Sequence, residues 1–398
     1  MPPMLSGSLH PDFTGVVDAF RSLLPRRHGG ASLAIVHRGD VVVEVAGGTR
    51  DDRGAPFTTD TVSLSFSTTK GVASTLVHVL ASQGLIDYDA PVARYWPAFG
   101  QHGKEQITVR DVMCHEAGLF SVRALVDDAR EMLDFDHMLS RIEQAKAAPR
   151  GGSAYHAVTY GWLVGGLVEK VTGRRFADVL RDELAQPLGL RGCFVGLPES
   201  EQHRRAHLFG AGNARSGKQA AAQGRAGLGA KVRARTFELL GGDPIRFRDA
   251  LMPRGIANVD WNDDATLAAC IPAANGAFDA RSLARMYAML ANGGELDGVR
   301  LLSPEIWARA TKVQSRGRDG VLWFKMGWRL GYHGVMALGV DARHAFGHYG
   351  FGGSGAFCDP SRKLAVALVL NHGVGTPMGD TRIWRLGTAA LKAADRRG

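Results

Sequence analysis

Two residues at the head of an apolar segment have the types and the spacing needed for nucleophilic catalysis. Ser67 precedes Lys70 by three positions in the stretch SLSFSTTKGVASTLVHVLASQGL, residues 63–85. Side chains three apart lie on one face of a helix, so Lys70 would stand beside the hydroxyl of Ser67. Burial lowers the pKa of a lysine, and a neutral amine could accept the serine proton. The pair therefore predicts a serine nucleophile with a lysine general base.

A structural interpretation of the same residues is also open. A Ser-x-x-Lys tetrapeptide is expected roughly once by chance in a chain of this length, and serine is a common N-cap ahead of a helix. The residues that follow favour the catalytic interpretation, because their almost wholly apolar surface predicts a buried helix. They are Val72, Leu76, Val77, Val79 and Leu80.

Hairpins near both chain ends predict the sheet that would position this helix. Apolar and β-branched runs flank a turn at residues 38–40 in the stretch Ala31–Gly48, and another turn at 359–361 in Ser354–His372. Phe324–Tyr332 is a further strand candidate. Helices are predicted at residues 110–119, 160–173, 175–190, 279–294 and about 379–395.

This order of elements predicts an α/β (α+β) fold, with an antiparallel sheet flanked by helices and a mostly helical second domain. The sheet domain would combine residues 1–90 with 275–398, and residues 91–274 would form the mainly helical insertion. A chain of 398 residues is long enough for two closely packed domains.

The composition argues against several classes of protein. No run of about 18 apolar residues occurs, so no membrane span is predicted. The N-terminal sequence lacks a basic segment followed by an apolar one, which predicts a cytoplasmic location. The four cysteines form no CxxC pair and no HExxH occurs, so we expect no metal site.

Positive charge is concentrated in one segment. The formal net charge is +9, and residues 201–254 hold eleven Lys or Arg against four Asp or Glu. No aromatic residue interleaves with the basic ones in 211–235, so nucleic-acid bases would find no stacking platform there. We therefore predict no nucleic-acid partner, and a mobile basic loop near 211–235 that could close over a site.

Two further segments carry groups that could complete the site. Tyr155 precedes the predicted helix at 160–173, and its phenol could reach the Ser67–Lys70 pair. The stretch FGHYGFGGSGAFCDP, residues 346–360, has a Gly-rich edge-strand pattern in which the backbone can approach a ligand closely. Taken alone, the tyrosine could belong to the core and the glycines to a tight turn.

Together and in this order, these motifs resemble those of the serine β-lactamase and penicillin-binding protein superfamily. More narrowly, the chain is similar to class C β-lactamases, DD-peptidases and family VIII carboxylesterases. Ser67-Thr68-Thr69-Lys70 matches the S-x-x-K motif, Tyr155-His156-Ala157 falls where the family has Y-x-N, and His348-Tyr349-Gly350 falls where it has K-T-G or H-x-G. Supporting similarity lies at residues 84–99, 112–119, 187–190 and 290–305. The resemblance runs from about residue 15 to 395 and implies a β-lactamase/transpeptidase-like fold.

The resemblance implies an acyl-enzyme mechanism that needs no metal or organic cofactor. Ser67 would attack an ester or amide carbonyl, Lys70 would take its proton, and Tyr155 would act as a coupled base or proton shuttle and help activate water. The backbone N–H groups of Ser67 and Phe351 would form the oxyanion hole, in which one donor is typically worth about 3 kcal/mol. Five residues would contact the substrate: His348, Tyr349, Gly350, Ala157 and Phe66.

Two departures from the lactamase pattern bear on the substrate. Ala157 stands where lactamases have an asparagine that binds the side-chain amide of a β-lactam. His348 stands where they have a lysine that helps bind the β-lactam carboxylate, and histidine is mostly neutral near pH 7. Both changes remove polar recognition of a penicillin-like substrate. Five aromatic residues near the motifs could line an apolar acyl pocket or belong to the core: Phe66, Tyr349, Phe351, Trp162 and Trp323.

The sequence thus predicts a serine carboxylesterase whose partner is a small-molecule ester, uncharged and with a short to medium acyl chain. A β-lactamase or DD-peptidase-like amide hydrolase is the alternative. A catalytically inactive binding protein is a third possibility, against which the intact Ser67, Lys70 and Tyr155 argue. An α/β-hydrolase is disfavoured because no G-x-S-x-G elbow occurs. The sequence does not specify an oligomeric state.

Overall fold

An antiparallel sheet built from both ends of the chain organises the fold. The computed structural model describes residues 4–25, 28–210, 242–373 and 381–397. The strands are β1 (Leu5–Leu9), β2 (Gly30–His37), β3 (Asp40–Gly48), β4 (Ser63–Leu64), β5 (Cys193–Val195), β6 (Phe209–Gly210), β7 (Gly276–Phe278), β8 (Glu295–Leu296), β9 (Val299–Arg300), β10 (His333–Gly334), β11 (Phe346–Tyr349), β12 (Gly355–Asp359), β13 (Leu364–Leu370) and β14 (His372–Gly373). The large sheet has the order β1-β3-β2-β13-β12-β11-β10, and a small sheet has the order β4-β7-β5.

The two chain ends meet in the middle of the large sheet. β2 pairs antiparallel with β13, so that Ala31 lies opposite Leu370. Both strands are buried along their whole length, because helices cover both faces of the sheet and apolar side chains on either face are removed from water. The hairpins predicted at 31–48 and 354–372 are confirmed.

The strand predicted at Phe324–Tyr332 is wrong. This segment runs in turns, with left-handed backbone at Gly327 and Gly331 (φ +59° and +80°). Its bridge between Trp328 and Ser315 is isolated and does not continue into a ladder. Left-handed φ values interrupt the extended conformation that a strand requires, and an apolar alternation does not reveal them.

The helices follow most of the predicted segments. The α-helices are α1 (Thr14–Leu23), α2 (Thr68–Ser82), α3 (Val109–Met113), α4 (Phe135–Gln144), α5 (Tyr160–Thr172), α6 (Phe176–Leu180), α7 (Pro244–Leu251), α8 (Asp264–Ala268), α9 (Ala280–Ala291), α10 (Pro304–Thr311) and α11 (Thr381–Arg397). A π-helical turn, Arg181–Ala185, continues α6. Turns of 3₁₀ helix lie at Pro11–Phe13, Val92–Arg94, Pro97–Phe99, Val122–Ala124, Ala129–Leu133, Glu199–Arg204, Ile256–Asn258 and Pro360–Arg362.

Predicted helix ends agree where a capping residue marks them. Gly173 ends α5 with a left-handed φ of +68°, and the side chain of Asp279 caps α9 by accepting from the N–H of Ser282 at 2.6 Å. The helix predicted at 110–119 is shorter, because His115 takes a φ of +61° and the chain leaves the helix after Met113.

Two helical layers enclose the large sheet. α1 and α11 pack on one face, where Phe20, Val366 and Leu386 belong to one buried cluster. α9 packs on the other face, where α2 also contacts β11. All side chains of α2 from Thr68 to Ala81 are buried, as predicted. The predicted α+β class is confirmed, whereas the domain boundaries near 90 and 275 stay a prediction.

The described chain contains no helix with both the length and the apolar character needed to cross a membrane. The basic loop predicted near 211–235 lies outside the described residues.

Candidate active site

Ser67 lies at the junction between β4 and α2. The N–H of Ser65 donates to the carbonyl of Gly276 at 2.8 Å, which ties the approach to the small sheet. Phe66 then turns the chain with a φ of +45°, a conformation that is costly for a non-glycine residue and persists where the surrounding structure imposes it. Ser67 occupies the N-cap position of α2, but its hydroxyl makes no capping hydrogen bond. The oxygen is therefore available to neighbouring side chains.

Lys70 directs its amine at that oxygen. Its Nζ lies 2.9 Å from Oγ of Ser67 and donates to the carbonyl oxygens of Ala157 at 2.6 Å and Ala273 at 3.0 Å. The side chain is fully buried, and this desolvation holds the pKa of Lys70 well below its usual range. A neutral amine has two N–H groups, which the two carbonyls accept. Its lone pair is then left for the proton of Ser67.

Tyr155 makes the second contact to the serine oxygen. Its Oη donates to Oγ of Ser67 at 2.9 Å, and its ring centroid lies 5.0 Å from Nζ of Lys70. Trp328 stacks on the Tyr155 ring with a centroid separation of 5.6 Å and an interplanar angle of 12°. Burial raises the pKa of Tyr155, although its hydrogen bond to Ser67 opposes this shift. The phenol is therefore protonated near neutral pH, while Lys70 readily loses its proton.

The turn after β11 packs against the start of α2. A Cβ at Gly350 would lie 2.2 Å from the carbonyl oxygen of Ser65, so a larger residue does not fit there. Phe351 follows, and its ring lies 5.8 Å from that of Phe66. Within the described ranges, the backbone N–H groups of Ser67 and Phe351 donate to no protein acceptor.

His348 lies on the face of β11 that meets α2. Its ring stacks on Tyr155 at 6.3 Å, and its Nδ1 donates to the carbonyl of Tyr349 at 3.2 Å. Burial, reinforced by His333 and Lys70, holds the pKa of His348 well below its usual range. The imidazole is therefore neutral, and its buried Nε2 has no partner among the described residues.

The other side chains expected to contact the substrate have different positions. Tyr349 belongs to the buried cluster on the opposite face of the sheet, so the structure brings its backbone to the site but not its ring. Trp162 is fully buried in the main core, and Trp323 lies under the guanidinium of Arg318 at 4.4 Å. Ala157 packs its methyl group into a third cluster.

Phe66 and Phe351 form an aromatic group with a third ring that sequence analysis missed. Trp261 lies 5.3 Å from Phe66 in an edge-to-face arrangement and is 9% exposed. Its segment is far from the motifs in the sequence and reaches the site through tertiary contacts, so no local pattern marks it. The three rings supply apolar surface next to Ser67.

Asp319 and Trp328 were also missed. Asp319 is buried and accepts from the N–H of Tyr155 at 3.1 Å. Trp328 lies in the segment predicted to be a strand, and its ring stacks on that of Tyr155. Among the described residues, no three His, Cys, Asp or Glu side chains are grouped as a metal site would require.

The chain is similar to known proteins over most of its length. The beta-lactamase family model matches residues 16–391. The esterase/beta-lactamase LipL of Mycobacterium tuberculosis is 42% identical over 373 residues, which cover 92% of this chain and 82% of LipL.

Two solved structures are similar over almost the whole chain. A family VIII carboxylesterase superimposes with a TM-score of 0.83 and 31% identity, covering 98% of this chain and all of the other. A penicillin-binding protein homologue from Caulobacter crescentus has a TM-score of 0.83 and 32% identity, with the same coverage.

Proposed function

The chain belongs to the beta-lactamase family, and from this premise we propose that it is a serine carboxylesterase acting through an acyl-enzyme on Ser67. Its substrates would be small, uncharged esters with short to medium acyl chains. One observation carries the proposal: Nζ of Lys70 and Oη of Tyr155 each lie 2.9 Å from Oγ of Ser67. The similarity to LipL, an esterase/beta-lactamase, and to a family VIII carboxylesterase supports the same reaction.

Acylation begins with the lone pair of neutral Lys70. Oγ of Ser67 attacks the ester carbonyl carbon while its proton moves to Nζ of Lys70, so that a C–O bond forms and an oxyanion develops on the former carbonyl oxygen. The carbonyls of Ala157 and Ala273 hold the amine in place and accept its hydrogens before and after the transfer. No rearrangement of Lys70 is needed, because a third N–H simply replaces the lone pair.

Tyr155 completes the proton transfers. Because its raised pKa keeps the phenol protonated, Tyr155 gives its proton to the departing alkoxide as the ester C–O bond breaks. Lys70 then restores the phenol proton. In deacylation the same pair works in reverse: it removes a proton from water, hydroxide attacks the acyl carbon, and Ser67 regains its hydrogen.

The backbone supplies the donors for the oxyanion. We assign this role to the N–H groups of Ser67 and Phe351, neither of which has a protein acceptor in the described ranges. The close fit of Gly350 against Ser65 supports the assignment, because it keeps the two backbone segments next to each other. Preorganised donors of this kind stabilise the charge that develops in the transition state.

The proposed substrate preference follows from the absence of a positive charge and of a side-chain hydrogen bond at two positions near Ser67. His348 is neutral, so it offers no cation to a substrate carboxylate, and Ala157 offers no side-chain hydrogen bond. The rings of Phe66, Trp261 and Phe351 provide an apolar surface for an acyl chain instead. We assign substrate contact to Phe66, His348 and the backbone of the 349–351 turn. The expected cytoplasmic location and the absence of a nucleic-acid partner stay predictions.

β-Lactam hydrolysis is a second candidate function. LipL is named an esterase/beta-lactamase, and the same serine, lysine and tyrosine could open a strained lactam amide. Ala157 offers no side-chain hydrogen bond and the neutral His348 offers no positive charge, so we expect this activity to be weaker than ester hydrolysis.

The proposal is tested by measuring hydrolysis of p-nitrophenyl acetate, butyrate and octanoate beside nitrocefin. Wild type, Ser67→Ala and the control Ser22→Ala are compared, since Ser22 lies on α1 and bonds the carbonyl of Ala19. We expect ester turnover that only Ser67→Ala abolishes, with little nitrocefin turnover. Dominant nitrocefin hydrolysis would favour the lactamase, and turnover that survives Ser67→Ala would refute the proposal.

A further inference from the structure

Asp319 is a buried carboxylate with an unusual set of partners. It is 2% exposed, and within the described ranges no cation forms an ion pair with it. Its Oδ1 accepts from the N–H groups of Tyr155 at 3.1 Å, Val321 at 2.9 Å and Leu322 at 2.9 Å. Its Oδ2 accepts from Nε1 of Trp328 at 3.0 Å. Four N–H donors thus satisfy a charge that burial would otherwise make costly.

These bonds reach Tyr155 by two routes. One is direct, from Oδ1 to the backbone N–H of Tyr155. The other passes through Trp328, whose indole is fixed by Oδ2 and whose ring lies nearly parallel to the phenol at 5.6 Å. The backbones of the two segments are also joined next to the first route, since the N–H of Gly320 donates to the carbonyl of Ser153 at 2.8 Å.

We propose that Asp319 is a positioning residue for the reaction: it fixes Tyr155 through the backbone and through Trp328, and so holds the phenol at hydrogen-bond distance from Ser67. The inference rests on the proposed function, in which Tyr155 transfers protons to and from the reacting groups. It assigns no contact with the substrate to Asp319 itself. A displacement of about 1 Å in such a group can lower a rate by about 100-fold.

The carboxylate also acts on Tyr155 through its charge. Burial is the main reason that the pKa of Tyr155 is raised, and Asp319 adds to the effect because a nearby negative charge disfavours tyrosinate. The same residue therefore places the phenol and adds to the effect of burial on its pKa.

The test uses a variant that separates these bonds. In Asp319→Asn the amide oxygen can still accept from the three backbone N–H groups, but its NH₂ faces Nε1–H of Trp328, so two donors meet. Trp328→Phe removes the indole donor and keeps a ring. The control is Asp359→Asn, which alters another buried carboxylate, one that accepts from Ser361 and Arg362 at the far end of β12.

Four quantities are measured on the full chain: kcat and KM for p-nitrophenyl butyrate, the rate at which a fluorophosphonate labels Ser67, and the melting temperature. For Asp319→Asn we expect kcat and the labelling rate to fall by about 10- to 100-fold, with KM within about threefold of wild type. In Trp328→Phe, kcat and the labelling rate should also fall, but by less. Asp359→Asn should alter the melting temperature and leave kcat unchanged.

The inference is overturned if Asp319→Asn keeps wild-type kcat and labelling rate, whatever its melting temperature. If that variant fails to fold, Trp328→Phe decides by the same criterion. Failure of the proposed function has a different signature: wild type would label at Ser67 but hydrolyse no ester, and the labelling rates would still test Asp319. A wild type that neither hydrolyses nor labels overturns both.

Discussion

At the scale of single residues, the oxygen of Ser67 lies between a base, Lys70, and an acid, Tyr155. Burial shifts the pKa values of these two groups in opposite directions. Desolvation disfavours the charged form of every group, so it lowers the pKa of Lys70 and raises that of Tyr155. The amine is thereby prepared to accept a proton and the phenol to give one. Two side chains with one shared oxygen can then serve both halves of an ester hydrolysis.

Because these residues act as a unit, their substitutions should not be additive. We predict that Ser67→Ala, Lys70→Ala and Tyr155→Phe each lower kcat/KM for p-nitrophenyl butyrate by about 10²- to 10⁴-fold. The double variant Lys70→Ala/Tyr155→Phe should be little worse than the poorer single variant. If the fold-loss in kcat/KM of the double variant equals the product of the two single fold-losses, the two side chains act independently.

The protonation of Lys70 sets the pH dependence of the reaction. Since the base must be neutral, kcat/KM should rise with pH through the pKa of Lys70, which lies well below its usual range, and then level off. The lost activity lies on the acid side, where Lys70 is ammonium. Lys70→Arg places a guanidinium that cannot deprotonate where the neutral amine stood, so we expect this variant to be inactive at every pH. Normal activity of Lys70→Arg near pH 7 would contradict a neutral lysine base.

At the scale of elements, α2 positions Ser67 and Lys70, and its buried face has no room for a larger side chain at Gly71. A Cβ at Gly71 would lie 2.2 Å from Oη of Tyr287 and 3.4 Å from Cβ of His348. We predict that Gly71→Ala destabilises the fold by about 1–3 kcal/mol and lowers kcat as well, because α2 must shift. Urea unfolding and the ester assay measure the two effects.

Gly15→Ala in α1 is the matched control. Apart from the neighbouring backbone of α1, no atom lies within 4 Å of a Cβ there, and alanine is the better helix former by roughly 1 kcal/mol. The control should leave stability unchanged or slightly raised. Equal losses in both variants would mean that packing against Tyr287 is not the cause.

The sequence predicts an element well where turn or capping residues mark its ends. The hairpin turns, the glycine that ends α5 and the aspartate that caps α9 each mark a boundary in the sequence. The pair Ser67 and Lys70 could be placed on one helical face for the same reason. The contacts of Asp319 with Tyr155 and of Trp261 with Phe66 could not be predicted, because they join segments far apart in the chain.

At the scale of the whole molecule, the interior contains several neutral histidines. Burial lowers the pKa of His78, His156 and His333 to about 4 in each case. The unfolded chain binds a proton at each near pH 6.5, whereas the folded chain does so only near pH 4. Stability should therefore fall as the pH falls between these values, by on the order of 1–2 kcal/mol per histidine from pH 7 to pH 5.

His78→Gln tests this account away from Ser67. Nδ1 of His78 accepts from Tyr88 and Nε2 donates to the carbonyl of Leu330, and a glutamine amide offers one acceptor and one donor without titrating. We predict that urea unfolding of His78→Gln shows a smaller loss of stability between pH 7 and pH 5 than wild type. An unchanged pH dependence would show that His78 does not contribute to it.

The central claim is that Ser67 forms a covalent acyl-enzyme, and trapping that intermediate tests it most directly. The protein is mixed with p-nitrophenyl butyrate, quenched in acid within the first turnovers, digested and analysed by mass spectrometry. We predict one butyryl group on the peptide that contains Ser67, absent from Ser67→Ala and more abundant in Tyr155→Phe if that variant slows deacylation more than acylation. Ester hydrolysis that proceeds with the butyryl group on another residue would contradict the account.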